Sequence, residues 1–149
     1  MNKKISKEKV VNDLYLFLRT IYHYERNIAA QFGLNYQEIY LLQNLRRTSP
    51  QRLTEIAKTL EVPMFTASRL VGRLVQEKFI SKEKASLDRR SISITLLSRG
   101  EEVVGAVESQ CYTSILQNTA EMSKEDVESL LRMAEKMYEV LGIPLDRIQ

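Results

Sequence analysis

The chain has 149 residues, 44% hydrophobic and 28% charged, with a net charge of +3. That is enough for one domain with a core, and no apolar run nears the ~18 residues of a membrane span, so no membrane partner is expected. A lone cysteine, Cys111, excludes an internal disulfide, and the N-terminus MNKKISKEKVVND turns charged again where a secretory signal would carry its apolar core, so a cytoplasmic location is expected.

Residues Lys7 to about Phe32 read as a long helix, with Val10, Leu14, Phe17, Ile21, Ile28 and Phe32 at helical spacing and Gly33 as a stop. Asn35 starts a second helix with Glu38 as its capping-box partner; Ile39, Leu42 and Leu45 face its core, and Thr48-Ser49-Pro50 ends it. A short helix from about Leu53 to Leu60 and a brief turn at Glu61-Val62 follow. The next helix carries Pro63 in its first turn and reaches about Lys78, with Ala67, Leu70, Val71 and Leu74 inward. The period then changes to two. Ile80 begins one strand, and Ile92, Ile94 and Leu96 alternate with Ser91, Ser93 and Thr95 in another, which makes a hairpin. A helix from Ser98 to about Asn118 carries Val103, Val104, Val107, Cys111, Ile115 and Leu116 as its stripe. Ser123 caps the last helix, whose core face is Val127, Leu130, Leu131, Ala134, Met137 and Leu141, with Gly142 and Pro144 as its stop.

The fold class that emerges is mainly α with a small β-hairpin wing. The order helix, turn, helix, hairpin in the middle of the chain describes a winged helix-turn-helix. The chain reads as a single domain over 1–149, with a DNA-binding lobe at 35–96 and helical dimerisation regions at 1–34 and 97–149. The end helices have broad apolar faces and few partners within one chain, and such helices pack against a second copy.

Charge is distributed unevenly. Residues 46–90 carry 11 Lys and Arg against 5 Asp and Glu, whereas residues 91–149 carry 5 against 10. A basic block of this kind is the footprint expected for a polyanion partner. The second helix of a helix-turn-helix can lie in the DNA major groove, and here it offers Thr66, Ser68, Arg69 and Arg73, with 66, 69 and 73 along one side. The stretch SLDRRSISI places Asp88, Arg89 and Arg90 near the tip or returning arm of the hairpin. An arginine on a narrow hairpin can enter the minor groove. Asp88 makes sense as an anchor, pairing with Arg90 or its backbone and fixing the shape of the wing.

The segment RLTEIAKTLEVPMFTASRLVGRLVQEKFISKEKASLDRRSISITLLSRG resembles the winged-helix core of the MarR family of multiple-antibiotic-resistance regulators. The Leu-x-x-Ile-Ala opening, the Ser-Arg-Leu-Val-x-Arg-Leu run, and the Asp-x-Arg-Arg-Ser wing followed by alternating apolar residues and Gly100 carry the likeness. What the resemblance implies is a homodimeric transcription regulator, usually a repressor, on a near-palindromic double-stranded DNA operator. Many members release DNA when a small aromatic or lipophilic effector binds, and some respond instead to thiol oxidation. Carried over by position, Thr66, Ser68 and Arg69 match the recognition-helix contacts and Arg73 the arginine one turn on. Asp88 and Arg90 match the fixed wing pair, Arg89 the variable residue between them, and Thr54 a phosphate contact at the start of the preceding helix.

The sequence also departs from that pattern. Pro63 replaces a hydroxyl or Asp cap, Gly72 stands where Asp is common, and Phe79 stands where Gly usually ends the recognition helix. Phe is disfavoured at positive φ, so this helix is expected to end differently. Leu97 replaces a capping Thr, a role Ser98 is expected to assume.

Two other functions are compatible with a winged helix-turn-helix. One is a winged-helix module that binds protein without specific DNA binding; the arginines at 69, 73, 89 and 90 argue against it. The other is a thiol-based redox sensor acting through Cys111, but a cysteine on an apolar stripe is more often a small packing residue. His23 has no second histidine or cysteine near it in sequence, so no metal site is expected, and no cofactor or catalytic set is indicated. Tyr15, Tyr22, Tyr24, Tyr36 and Tyr40 in the first two helices fit packing better than a ligand pocket.

Overall fold

The computed structural model describes residues 5–84 and 92–149, and the chain divides into two units, Met1–Val107 and Glu108–Gln149. In the first unit, α1 (Lys7–Gln31) starts at Ser6, whose hydroxyl accepts from the Lys9 N–H. It ends where Gly33 takes φ +67°, and the Gly33 and Leu34 N–H groups turn back to the Ala30 and Ala29 carbonyls. That reversal satisfies carbonyls a helix end leaves open, and glycine adopts it without a Cβ penalty. The following helix, α2 (Tyr36–Arg47), carries the capping box foreseen in the sequence. The Asn35 side chain accepts from the Glu38 N–H at 2.9 Å, and the Asn35 N–H donates to Glu38 Oε2 at 2.8 Å.

A two-residue strand, β1 (Gln51–Arg52), leads directly into α3 (Leu53–Thr59), and α4 (Met64–Gln76) follows after a short turn. Strands β2 (Ile80–Lys84) and β3 (Ile92–Leu96) form the arms of the hairpin, in antiparallel register from Ile80 opposite Leu96 to Lys84 opposite Ile92. Strand β1 pairs with the other edge of β3, Gln51 opposite Ile94, so the sheet order is β1-β3-β2. Sequence periodicity missed β1, because two residues are too few to show an alternation. Its place is fixed from outside. Gln51 is buried, accepts from Asn44 Nδ2 at 3.0 Å and donates to the Thr48 carbonyl at 2.7 Å.

The core of this unit joins α2, α3, α4 and the sheet. Ile39, Leu41, Leu42, Leu45, Ile56, Val71, Leu74, Ile80 and Ile94 are all fully buried. Gly100, in the first turn of α5 (Ser98–Asn118), lies against this core: a Cβ there would sit 2.3 Å from the Phe79 carbonyl oxygen and 2.5 Å from Leu96 Cδ1. Only a glycine allows α5 to start this close to the strands.

The α1 stripe behaves differently from the sequence expectation. Only Ile28 and Ala29 are buried in this helix; Val10, Phe17 and Ile21 are exposed, as are Tyr15 and Leu16. In the second unit, α6 (Lys124–Ala134) begins at Ser123 as foreseen, its hydroxyl accepting from the Asp126 N–H at 3.1 Å. The single last helix expected from periodicity is in fact two: Glu135 closes α6, and α7 (Met137–Val140) is a separate turn. No helix breaker stands at Glu135-Lys136, so the sequence held no signal for the interruption. Neither helix has a buried residue, and Leu130, Leu131 and Leu141 from the expected core face are exposed.

Two capping expectations need correction. Pro63 is the N-cap of α4 rather than a first-turn residue, and it supplies no side-chain cap. Ser98 lies inside the first turn of α5, while Leu97 precedes it, its carbonyl accepting from the Glu101 N–H. Among the described residues no helix is long and apolar enough to cross a membrane.

Candidate nucleic-acid interface

The turn between α3 and α4 is set by backbone geometry. Glu61 takes φ +52°, and the Glu61 and Val62 N–H groups donate back to Lys58 and Ala57. This closes α3 in the same reversal that Gly33 gives α1, here with a residue that pays a Cβ penalty of about 1 kcal/mol. The far end of α4 repeats the device. Lys78 takes φ +60°, and the Lys78 and Phe79 N–H groups reach the Val75 and Leu74 carbonyls. The expectation that Phe79 would not itself adopt positive φ is met by moving the left-handed residue one place back, which leaves Phe79 free to be buried.

Between these stops, α4 buries Ala67, Leu70, Val71 and Leu74. At 3.6 residues per turn the opposite face is therefore centred on Phe65, Arg69, Gly72 and Gln76, all of them exposed. Ser68 is exposed beside this line, while Thr66 is half-buried on its flank. Thr54, the second residue of α3, is exposed.

Arg73 has a more specific position. Its Nη1 donates to both carboxylate oxygens of Glu38, and its Nη2 donates to the Gly33 carbonyl at 2.6 Å. Glu38 is 1% exposed and Arg73 46%. The arginine foreseen as a DNA contact thus ties α4 to the start of α2 and the end of α1. Sequence showed Glu38 only as a capping-box residue; its link to a side chain 35 positions away left no local signal. Asn35, Glu38, Arg69, Leu70 and Arg73 line a shallow depression of about 210 Å³ on this side of α4.

Asp88, Arg89 and Arg90 lie outside the described residues. The strand that leads to them carries exposed Lys82 and Lys84, positive charges that belong to no motif in the sequence. Its position is held from the end of α4: Phe79 follows the Glu77-Lys78 turn, its carbonyl accepts from the Leu97 N–H at 3.0 Å, and the Arg99 guanidinium lies 4.8 Å from the centre of its ring.

Behind the helix-turn-helix, α2 is fastened to α1 by Tyr40, whose hydroxyl donates to Glu25 Oε1 at 3.0 Å while its ring meets Tyr36 edge-on at 4.5 Å. Burial, with Tyr36 and the Glu25 carboxylate adding to it, holds the Tyr40 hydroxyl well above the usual tyrosine range, so it remains a neutral donor. Among the described residues no group of His, Cys, Asp or Glu is arranged to hold a metal. His23 meets Tyr22 edge-on, and Cys111 is partly exposed on α5.

Comparison with known proteins gives this arrangement a family context. A family model described as MarR family matches residues 34–92, which run from the end of α1 into β3. The HTH-type transcriptional regulator SarR of Staphylococcus aureus strain USA300 is 28% identical over 92 residues, 60% of this chain and 80% of that protein. The HTH-type transcriptional regulator MgrA of S. aureus is 24% identical over 132 residues, 88% of each chain. Among solved structures, a mutant of S. aureus MepR aligns with a TM-score of 0.75 at 20% identity, covering 92% of this chain and 99% of that one. Rv1404 from Mycobacterium tuberculosis gives 0.74 at 24% identity over 94% and 97%, and a MarR family protein from Bacillus stearothermophilus gives 0.73 at 19% over 93% and 99%. These structural likenesses are of fold.

Proposed function

We propose, from the match of residues 34–92 to the MarR family model and the likeness to SarR, that the chain is a MarR family transcription regulator and acts in the cytoplasm as a homodimeric repressor on a near-palindromic DNA operator. The observation that carries this reading is α4 itself. It is anchored on one face by four buried apolar residues, tied at its flank through Arg73 to Glu38, and left open on the other face with Ser68 and Arg69 exposed. A rigid helix with a basic, hydroxyl-bearing outer face fits the major groove, whose width admits one helix. In this reading Arg69 grips a base edge, Ser68 and Thr66 contact phosphate or base, and Thr54 contacts phosphate at the start of α3. Arg73 acts by holding α4 in place, Arg90 and Arg89 enter the minor groove, and Asp88 fixes the wing.

The homodimer is supported by the unpartnered apolar side chains at the two ends of the chain: Tyr15, Leu16 and Phe17 on α1, and Ile115, Leu116, Leu130 and Leu131 on α5 and α6. Exposed apolar surface of this extent marks an interaction face. Release by a small aromatic or lipophilic effector belongs to the same reading. The test is selection of genomic fragments by the purified protein at low and moderate salt. Recovery of one near-palindromic site, with affinity falling steeply as salt rises, is expected. Recovery of no sequence, or salt-independent binding to a protein partner, would remove the proposal.

A further inference from the structure

The outermost line of α4 holds two features that neither packing nor the arginine contacts explain. Phe65 is 80% exposed, the most exposed large apolar side chain among the described residues, and Met64 beside it is 46% exposed. Two turns along the same line, Gly72 occupies the middle of the helix with ordinary helical backbone, and a Cβ added there would meet nothing within 4 Å. Glycine inside a helix is less favourable than alanine by about 0.5–1 kcal/mol. No neighbour in the described structure needs the missing Cβ. Among the described residues neither feature has a partner, and both face outward along the Phe65–Arg69–Gly72–Gln76 line, where a molecule outside the chain can approach.

Resting on the DNA-binding reading above, we infer that Phe65 is a specificity-determining residue that packs on the 5-methyl group of a thymine in each operator half-site, while Gly72 lets the helix backbone come close to the groove. The chemistry matches the groove. The thymine methyl is the one apolar feature of the major-groove edge, and apolar side chains read it there. Arg69, one turn further on the same line, supplies the complementary polar grip on guanine. The two positions are about 6 Å apart along the helix, roughly two base steps, so one helix can address both. Charge favours this occupant over an apolar protein surface, since the patch is continuous with Arg69 and followed by exposed Lys78, Lys82 and Lys84.

The experiment uses the operator recovered by selection and replaces each thymine in turn with deoxyuridine, which deletes the methyl and keeps the base pair. Affinity is measured for the full-length wild type, Phe65→Ala and Arg69→Ala. One thymine per half-site is expected to lose about fourfold affinity for the wild type, the equivalent of one buried methyl. That sensitivity should vanish in Phe65→Ala and persist in Arg69→Ala, and Gly72→Val should weaken binding to every version of the operator. Phe65 is too exposed for its truncation to unfold the chain, which circular dichroism checks directly. If the wild type binds its operator specifically but no deoxyuridine effect disappears in Phe65→Ala, the assignment of Phe65 is wrong while the repressor reading stands. If the wild type selects no DNA sequence at all, both fall together.

Discussion

Replacing Arg73 with Ala is expected to destabilise the folded chain by about 2 kcal/mol, a value between two limits. Removing one partner of a fully buried ion pair costs about 3–5 kcal/mol, because the other charge stays behind in a poor solvent. An exposed pair contributes about 0–1 kcal/mol. Here Glu38 is 1% exposed and Arg73 46%. Truncating Arg73 opens a path for water from one side, yet it leaves the carboxylate with the Asn35 N–H as its remaining hydrogen-bond donor among the described residues and takes the Arg73 donor from the Gly33 carbonyl. The loss would be read as the shift in urea midpoint at one fixed protein concentration, since dimerisation adds to apparent stability. Glu38→Gln completes a double-mutant cycle, with a coupling of about 1 kcal/mol expected for groups in direct contact. A shift below about 0.5 kcal/mol with additive single effects would show that the link contributes nothing, and would return Arg73 to the free side chains available to DNA.

Gly100→Ala is expected to destabilise by about 2–3 kcal/mol, because the new methyl meets the Phe79 backbone rather than a yielding side chain; thermal unfolding that matches the wild type would refute that packing. Lys78→Gly should stabilise by up to about 1 kcal/mol, the left-handed penalty relieved less the extra chain entropy of glycine, and a lowered urea midpoint would contradict it. Tyr40 has a hydroxyl raised above its unfolded value, so its contribution is fully present below about pH 10 and is lost as pH rises beyond that. Tyr40→Phe should accordingly flatten the alkaline fall in stability, and parallel wild-type and variant curves above pH 10 would count against the assignment. Arg90→Ala should weaken operator binding by about tenfold or more while sedimentation still reports a dimer; unchanged affinity would remove the wing from the interface.

Much of the architecture was legible because it is written in local chemistry. Asn35 with Glu38, Ser123 with Asp126, the buried face of α4 and the switch from helical to alternating period at Ile80 all depend on residues a few positions apart. The exposed Ser68 and Arg69 follow from the same periodicity. Tertiary structure decided what distant residues do to one another. It gave Arg73 to Glu38 and Gly33, fixed β1 by pairing a two-residue segment with β3, and made Gly100 the close approach of α5 to Phe79. It also distinguished an apolar stripe that is buried from one left bare on α1 and α6, because periodicity shows which residues share a face but not whether anything within the chain covers it. Phe65 shows the same divide: the sequence determines which side of α4 it is on, and only the packed chain shows that no neighbour among the described residues covers it.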